Sequence, residues 1–157
     1  LLRGMTKNCI VFAHNTDYIS YLVKTLKDKF PNRKVLKIDG RDNLKKRQKV
    51  LDEMLGDDGC ILVASTSCVA TGLTFKRVEN IILTQSFKSD IINNQSLGRI
   101  LLPENNSKQN AFVCDIIDVF DTKRLYNQGL AKIRNYKDQG YKYDVEDIKI
   151  DFESIYK

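Results

Sequence analysis

Residues 60–74 read CILVASTSCVATGLT. The first five, Cys60–Ala64, are apolar without a break and too few for an ordinary helix. That is the pattern of a strand buried on both faces. The next ten, Ser65–Thr74, are small and hydroxyl-rich, carry Gly72, and have little periodicity, so they read as a loop. The same unit, a short apolar strand running into a polar junction, recurs on either side. Upstream, Asn8–Ala13 (NCIVFA) is a strand. Ile19, Leu22, Val23, Leu26 and Phe30 then recur at helical spacing, with Asn15 or Thr16 able to cap the start and Pro31-Asn32 ending the run. Val35–Ile38 is a second strand closed by the turn signal Asp39-Gly40, and Leu44–Leu55 is an amphipathic helix stopped by Gly56. Downstream, Asn80–Thr84 is a fourth strand, Asp90–Leu102 a helix and Ala111–Ile117 a fifth strand.

Strands and helices therefore alternate. The strands are uniformly apolar, so both faces of their sheet must be covered, which predicts a parallel α/β sheet. After Ile117 the character changes. Lys123–Lys137 is a basic helix with Leu125, Leu130 and Ile133 inward, and Tyr141, Tyr143 and Val145 alternate with charged residues as in a half-exposed strand. Residues 1–119 are expected to form the body, and residues 120–157 a helix-plus-strand appendage packed on it.

The 157 residues suit one domain with a sizeable core, and 42% apolar residues with mixed charges argue against disorder throughout. Basic residues outnumber acidic ones 26 to 20, a net charge of +6 that suits a polyanionic partner without proving one. Of the four cysteines, Cys9, Cys60 and Cys114 fall in apolar strand-like runs, while Cys68 lies in the loop. No CxxC pair occurs and His14 is the only histidine, so no plausible zinc ligand set exists. Buried, reduced thiols and a cytoplasmic location are expected. No apolar run approaches membrane-spanning length and no signal peptide opens the chain, so no membrane partner is expected. The chain opens on Leu1 and reads as a piece of a longer protein.

Several chemistries lack their motifs. There is no G-x-x-x-x-G-K-[ST] phosphate loop, no G-x-G-x-x-G after a strand and no G-x-S-x-G elbow. In parallel sheets function sits where strands end. Four such places are unusual: Ala13-His14-Asn15-Thr16; Asp39-Gly40-Arg41 with Arg47 beyond it; the loop Ser65–Thr74; and Gln95-Ser96-Leu97-Gly98-Arg99. Gly98 inside a helix costs up to about 1 kcal/mol against alanine, which points to close packing or a ligand.

Together and in this order, these elements resemble the second RecA-like lobe of superfamily 2 helicases. Ile61–Thr74 corresponds to motif V and Gln95–Leu102 to motif VI. Val11-Phe12 resembles motif IV, and Asp39-Gly40 with Arg47 the element that follows it. The Ser65–Gly72 loop is one residue longer than the DEAD-box form and matches the chromatin-remodeller and UvsW-like subgroups. The end, YKYDVEDIKI, is similar to that of phage UvsW-type helicases. The resemblance implies an ATP-dependent DNA helicase whose ATP sits between two lobes, with Mg²⁺ held by carboxylates of an N-terminal RecA-like lobe of the same chain. It implies Arg99 at the γ-phosphate, Gln95 orienting that contact or the attacking water, and Gly72 and Thr74 against the nucleotide. It implies Ser65, Thr66, His14, Asn15, Gly40 and Arg41 on the backbone of single-stranded or branched DNA. One departure stands out: the position of the second motif VI arginine is Leu102. Arg99 alone suffices, Lys108 substitutes, or the site is weakened and the lobe is a nucleic-acid-binding scaffold.

Overall fold

The computed structural model describes residues 2–70, 75, 77–84, 112–117 and 123–149. The expected helix Asp90–Leu102 lies outside them. Five strands form one sheet: β1 (Cys9–Ala13), β2 (Val35–Ile38), β3 (Ile61–Ser65), β4 (Asn80–Leu83) and β5 (Phe112–Asp115). The order is β2-β3-β1-β4-β5 and every pairing is parallel, as the apolar runs require. Cys9 pairs with both Ile61 and Asn80, so the carboxyl ends of β1, β3 and β4 reach one edge together.

The period of two along each strand divides the core. Cys9, Val11 and Ala13 of β1 join Val35, Ile61, Val63 and Ile82 beneath α1 (Thr16–Lys29), which contributes Ile19 and Leu26. Ile10 and Phe12 face the other way with Ile38, Leu62, Ala64, Ile81 and Leu83, under Leu51 and Met54 of α2 (Leu44–Leu55). Phe75 closes this second layer edge-to-face on Phe12, ring centroids 5.9 Å apart.

Both helices begin on asparagine caps. Asn15 Oδ1 accepts from the Asp17 and Tyr18 amides at 2.8 and 3.1 Å, and Asn43 Oδ1 from the Lys46 amide at 2.9 Å. The loop expected from Ser65 onward carries a short helix instead, α3 (Ser67–Ala70). The Ser67 amide donates to Ser65 Oγ at 3.4 Å, a hydroxyl-capped turn that residue-by-residue periodicity does not reveal.

At the amino edge of the sheet, one guanidinium gathers the chain. Arg33 donates to the carbonyls of Gly59 (2.6 Å), Met5 (2.8 Å), Lys7 (3.1 Å) and Leu2 (3.4 Å). Buried Asn8 accepts from the Gly59 and Cys60 amides at 2.9 and 2.8 Å. Gly59 has φ +92°, and a Cβ there would lie 2.8 Å from the Thr6 carbonyl oxygen, so both conformation and space demand glycine.

The appendage helix forms as α4 (Lys123–Asp138). Lys132 Nζ and Tyr136 Oη each approach an Asp115 carboxylate oxygen at 2.7 Å, and Gly129 packs where a Cβ would collide with Ile117. Burial and the adjacent carboxylate push the Tyr136 phenol well above its usual range. The expected strand around Tyr141, Tyr143 and Val145 does not form, which corrects the helix-plus-strand expectation. Residues 141–149 are exposed and carry no regular secondary structure. Alternation alone does not make a strand, because its backbone groups need a ladder and its apolar side chains need a face to cover.

Candidate functional site

The chain leaving β1 turns into α1 on one face of the sheet. The chain leaving neighbouring β3 turns into α3, whose Cys68 packs in the layer beneath α2 on the other face. Adjacent strands whose connections part to opposite faces leave a crevice at their carboxyl ends, the place where open α/β sheets bind ligands. Hydrogen bonds between described residues span this crevice. The Thr66 amide donates to the Ala13 carbonyl at 3.1 Å, and His14 Nδ1 lies 3.3 Å from Thr66 Oγ1. His14 is exposed and Thr66 half-buried, so the pair forms the crevice lip.

The third wall is the turn after β2. Asp39 is 1% exposed and organises it. Its Oδ1 accepts from the Arg41 amide at 2.9 Å; its Oδ2 takes Arg41 Nη2 and Lys37 Nζ, both at 3.1 Å. The Arg41 guanidinium, with the Arg41 amide and Lys37, holds the Asp39 carboxyl well below the usual carboxylate range against the cost of burial. Arg47, itself buried, reaches back to donate to the Gly40 carbonyl at 3.3 Å. Gly40 is thereby fixed opposite α3: a Cβ there would stand 3.6 Å from Ser67 Oγ.

The structure therefore brings His14, Thr66, Ser65 and Gly40 to one edge, with Arg41 beside them. Asn15 is adjacent, but its side-chain oxygen is committed to capping α1. Ser65 is 6% exposed and bonds Ser67 Oγ at 2.9 Å, so the exposed hydroxyl is that of Ser67. Ser67 and Lys37 stand out as site residues only in the structure, and Asp39 reads in the sequence as a turn residue. The Ser-Thr-Ser run was the available signal for Ser67; nothing local marks Asp39 as buried rather than a turn residue. Gly72, Thr74, Gln95 and Arg99 lie outside the described residues, as do Leu102 and Lys108. Among the described residues no cluster of three or more His, Cys, Asp or Glu could hold a metal ion, and no helix is long and apolar enough to cross a membrane. All four cysteines are free, and burial pushes the Cys9 thiol up to about 12 and that of Cys60 to about 11.

Residues 1–101 match the family described as helicase conserved C-terminal domain. The chain belongs to that family. It is 25% identical over 163 residues to the ATP-dependent DNA helicase uvsW of Enterobacteria phage T4, a match covering 95% of this chain and 32% of that protein. The chain thus spans about a third of the length of the curated relative it matches. Among solved structures it is similar to T4 UvsW, with a TM-score of 0.67 and 22% identity over 88% of this chain and 30% of the other. It is also similar to the C-terminal part of the Fun30 ATPase domain (0.64, 19%, 82% and 41%). The second domain of the DEAD-box helicase Mss116p, bound to an RNA duplex, follows (0.55, 23%, 73% and 43%). These likenesses give the fold: an all-parallel α/β sheet of the RecA-like kind.

Proposed function

We propose that the chain is the second motor lobe of an ATP-dependent DNA helicase or translocase, acting on single-stranded or branched DNA. In this reading residues 1–119 are the motor body and 120–157 an appendage to it. The observation that carries the proposal is the meeting of three loops at the switch-point crevice. His14, Thr66, Ser67 and the backbone around Gly40 offer hydroxyl, imidazole and amide donors, beside an arginine whose side chain is 70% exposed. Such donors suit phosphate oxygens and read no bases, so binding is indifferent to sequence and sensitive to salt. Ser65 supports Ser67 from below, and Asn15 contributes mainly by fixing the start of α1.

ATP is the fuel of the whole protein in this reading, and its bound Mg²⁺ neutralises phosphate charge. Gly72 and Thr74 would contact the nucleotide, Gln95 would orient the reacting group, and Arg99 would neutralise charge at the γ-phosphate. The metal ligands come from an N-terminal RecA-like lobe. DNA, rather than RNA, is favoured by the activity for which the T4 relative is named.

Leu102 favours a second reading, a DNA-binding scaffold with a weakened cleft, because leucine cannot neutralise phosphoryl charge. DNA-stimulated ATPase of the full-length protein and its Arg99→Ala variant decides between them. An arginine acting on the transferred phosphoryl group is worth roughly 10³–10⁵ in rate. A motor loses turnover on that scale. Equal, negligible turnover in both proteins leaves the scaffold, and brisk turnover that survives the substitution removes Arg99 from the site.

A further inference from the structure

Helix α2 leaves the Asp39-Gly40-Arg41 corner and covers the sheet face opposite α1. Its charges are of two kinds. Lys46 is paired with Asp42, and Arg47 is buried with its guanidinium on Gly40. Lys45 and Lys49 are exposed, and neither makes a hydrogen bond or ion pair among the described residues. They stand four residues apart, about 6 Å along the helix and on one side of it.

Helix stability does not account for these lysines. The first turn of α2 holds no acidic residue, although the amino end of a helix favours anions. The acidic groups near the run are already engaged. Asp39 and Asp42 are held at the corner, and Asp52 accepts from Gln48 at 2.8 Å one turn beyond Lys49. Glu53 pairs with Lys34 at 3.1 Å. The two unengaged cations thus continue outward from Arg41, and Asp52 marks where the basic run stops.

We infer that α2 is an exit path for the nucleic acid: a strand leaving the crevice at Gly40 runs along this helix with successive phosphates on Lys45 and Lys49. The path rests on the phosphate-gripping reading of the crevice and extends it by two phosphates. Charge complementarity commits it to a polyanionic strand, and continuity with the Gly40 corner commits that strand to the one held at the crevice.

The test uses the full-length protein and single-stranded DNA of mixed sequence, lengthened one nucleotide at a time. The Lys45→Gln/Lys49→Gln variant is compared with Lys24→Gln/Lys27→Gln, which removes equal charge from exposed, unengaged lysines of α1 on the opposite face. All four side chains are exposed, and unchanged melting confirms that the fold is kept. Wild type gains affinity over two successive additions that the α2 variant does not register. The α2 variant's slope of log affinity against log salt is shallower by about 1.4, roughly 0.7 for each single-strand phosphate left without its lysine. The α1 variant behaves as wild type. Equal losses in both variants would mean net charge rather than a path, and a wild-type slope in the α2 variant would end the proposal. Thr66→Ala separates the two readings. If it weakens binding at every length while the α2 variant is normal, only the path fails. If Thr66→Ala costs nothing at any length, the crevice reading fails, and the path with it.

Discussion

Asp39→Asn isolates the group that shapes the β2 turn. Asparagine keeps an oxygen for the Arg41 amide but presents an NH₂ to Lys37 and the Arg41 guanidinium, two donors that now face a donor. Hydrogen bonds to charged groups contribute about 1.5–3 kcal/mol when buried. The Arg41 side chain is 70% exposed, so its share is largely screened; that of Lys37, at 31%, is discounted less. The loss at pH 7 should total about 2–3 kcal/mol. For a chain of this size that lowers the melting temperature by roughly 5–10 °C. The pH dependence carries a sign. The folded carboxyl titrates below the usual range, the unfolded one near about 3.9. Wild type therefore keeps its advantage at every pH above the unfolded value and loses it as pH falls through the folded one. Thermal melts of both proteins from neutral to strongly acidic pH should show a constant gap down to about pH 5 that narrows below about pH 4. Arg41→Ala should cost less than Asp39→Asn throughout. A gap that is absent at pH 7, or that widens in acid, would refute the picture of Asp39 as an ionised organiser of the turn.

Two further outcomes are expected from substitutions away from the crevice. Gly59→Ala combines a left-handed backbone, about 1–2 kcal/mol, with the Thr6 contact. It should lower stability in urea unfolding by more than Gly140→Ala, where φ is +72° but nothing lies within 4 Å; similar losses would mean that the close approach relaxes freely. At the α4 anchor, Lys132→Met strands a carboxylate whose side chain is 8% exposed and should cost about 3–5 kcal/mol. Tyr136→Phe removes one charge-assisted bond and should cost about 1.5–3 kcal/mol, so the reverse order in urea unfolding would count against Asp115 being held chiefly by the lysine.

Much of the fold was legible because its signals are local. Asn15, Pro31 and Gly56 punctuate two helices, and the unbroken apolar runs could only be strands covered on both faces. Leu44–Leu55 and Val35–Ile38 emerge with the bounds read from sequence. What escaped depends on partners distant along the chain. His14 finds Thr66 across 52 residues, and Arg33 finds Met5 across 28. Asp39 escaped for another reason: its partners Lys37 and Arg41 are only two residues away, but their folding over a buried carboxylate is not written in the local pattern. The strand expected at Tyr141–Val145 fails for the converse reason: its local pattern is right, and among the described residues it pairs with no strand.

The Arg33 cluster has a mechanical consequence. Its guanidinium grips carbonyls of Leu2, Met5 and Lys7 on one side and Gly59 on the other. A pull along residues 2–7 therefore meets several bonds to one side chain, and that side chain is itself tied to Gly59 at the head of β3. Replacing Arg33 would remove every one of these ties at once and leave residues 2–7 to give way under a smaller pull. Under the proposed motor function, such a fastening keeps the tug of the chain from fraying β1, the strand on which the crevice is built.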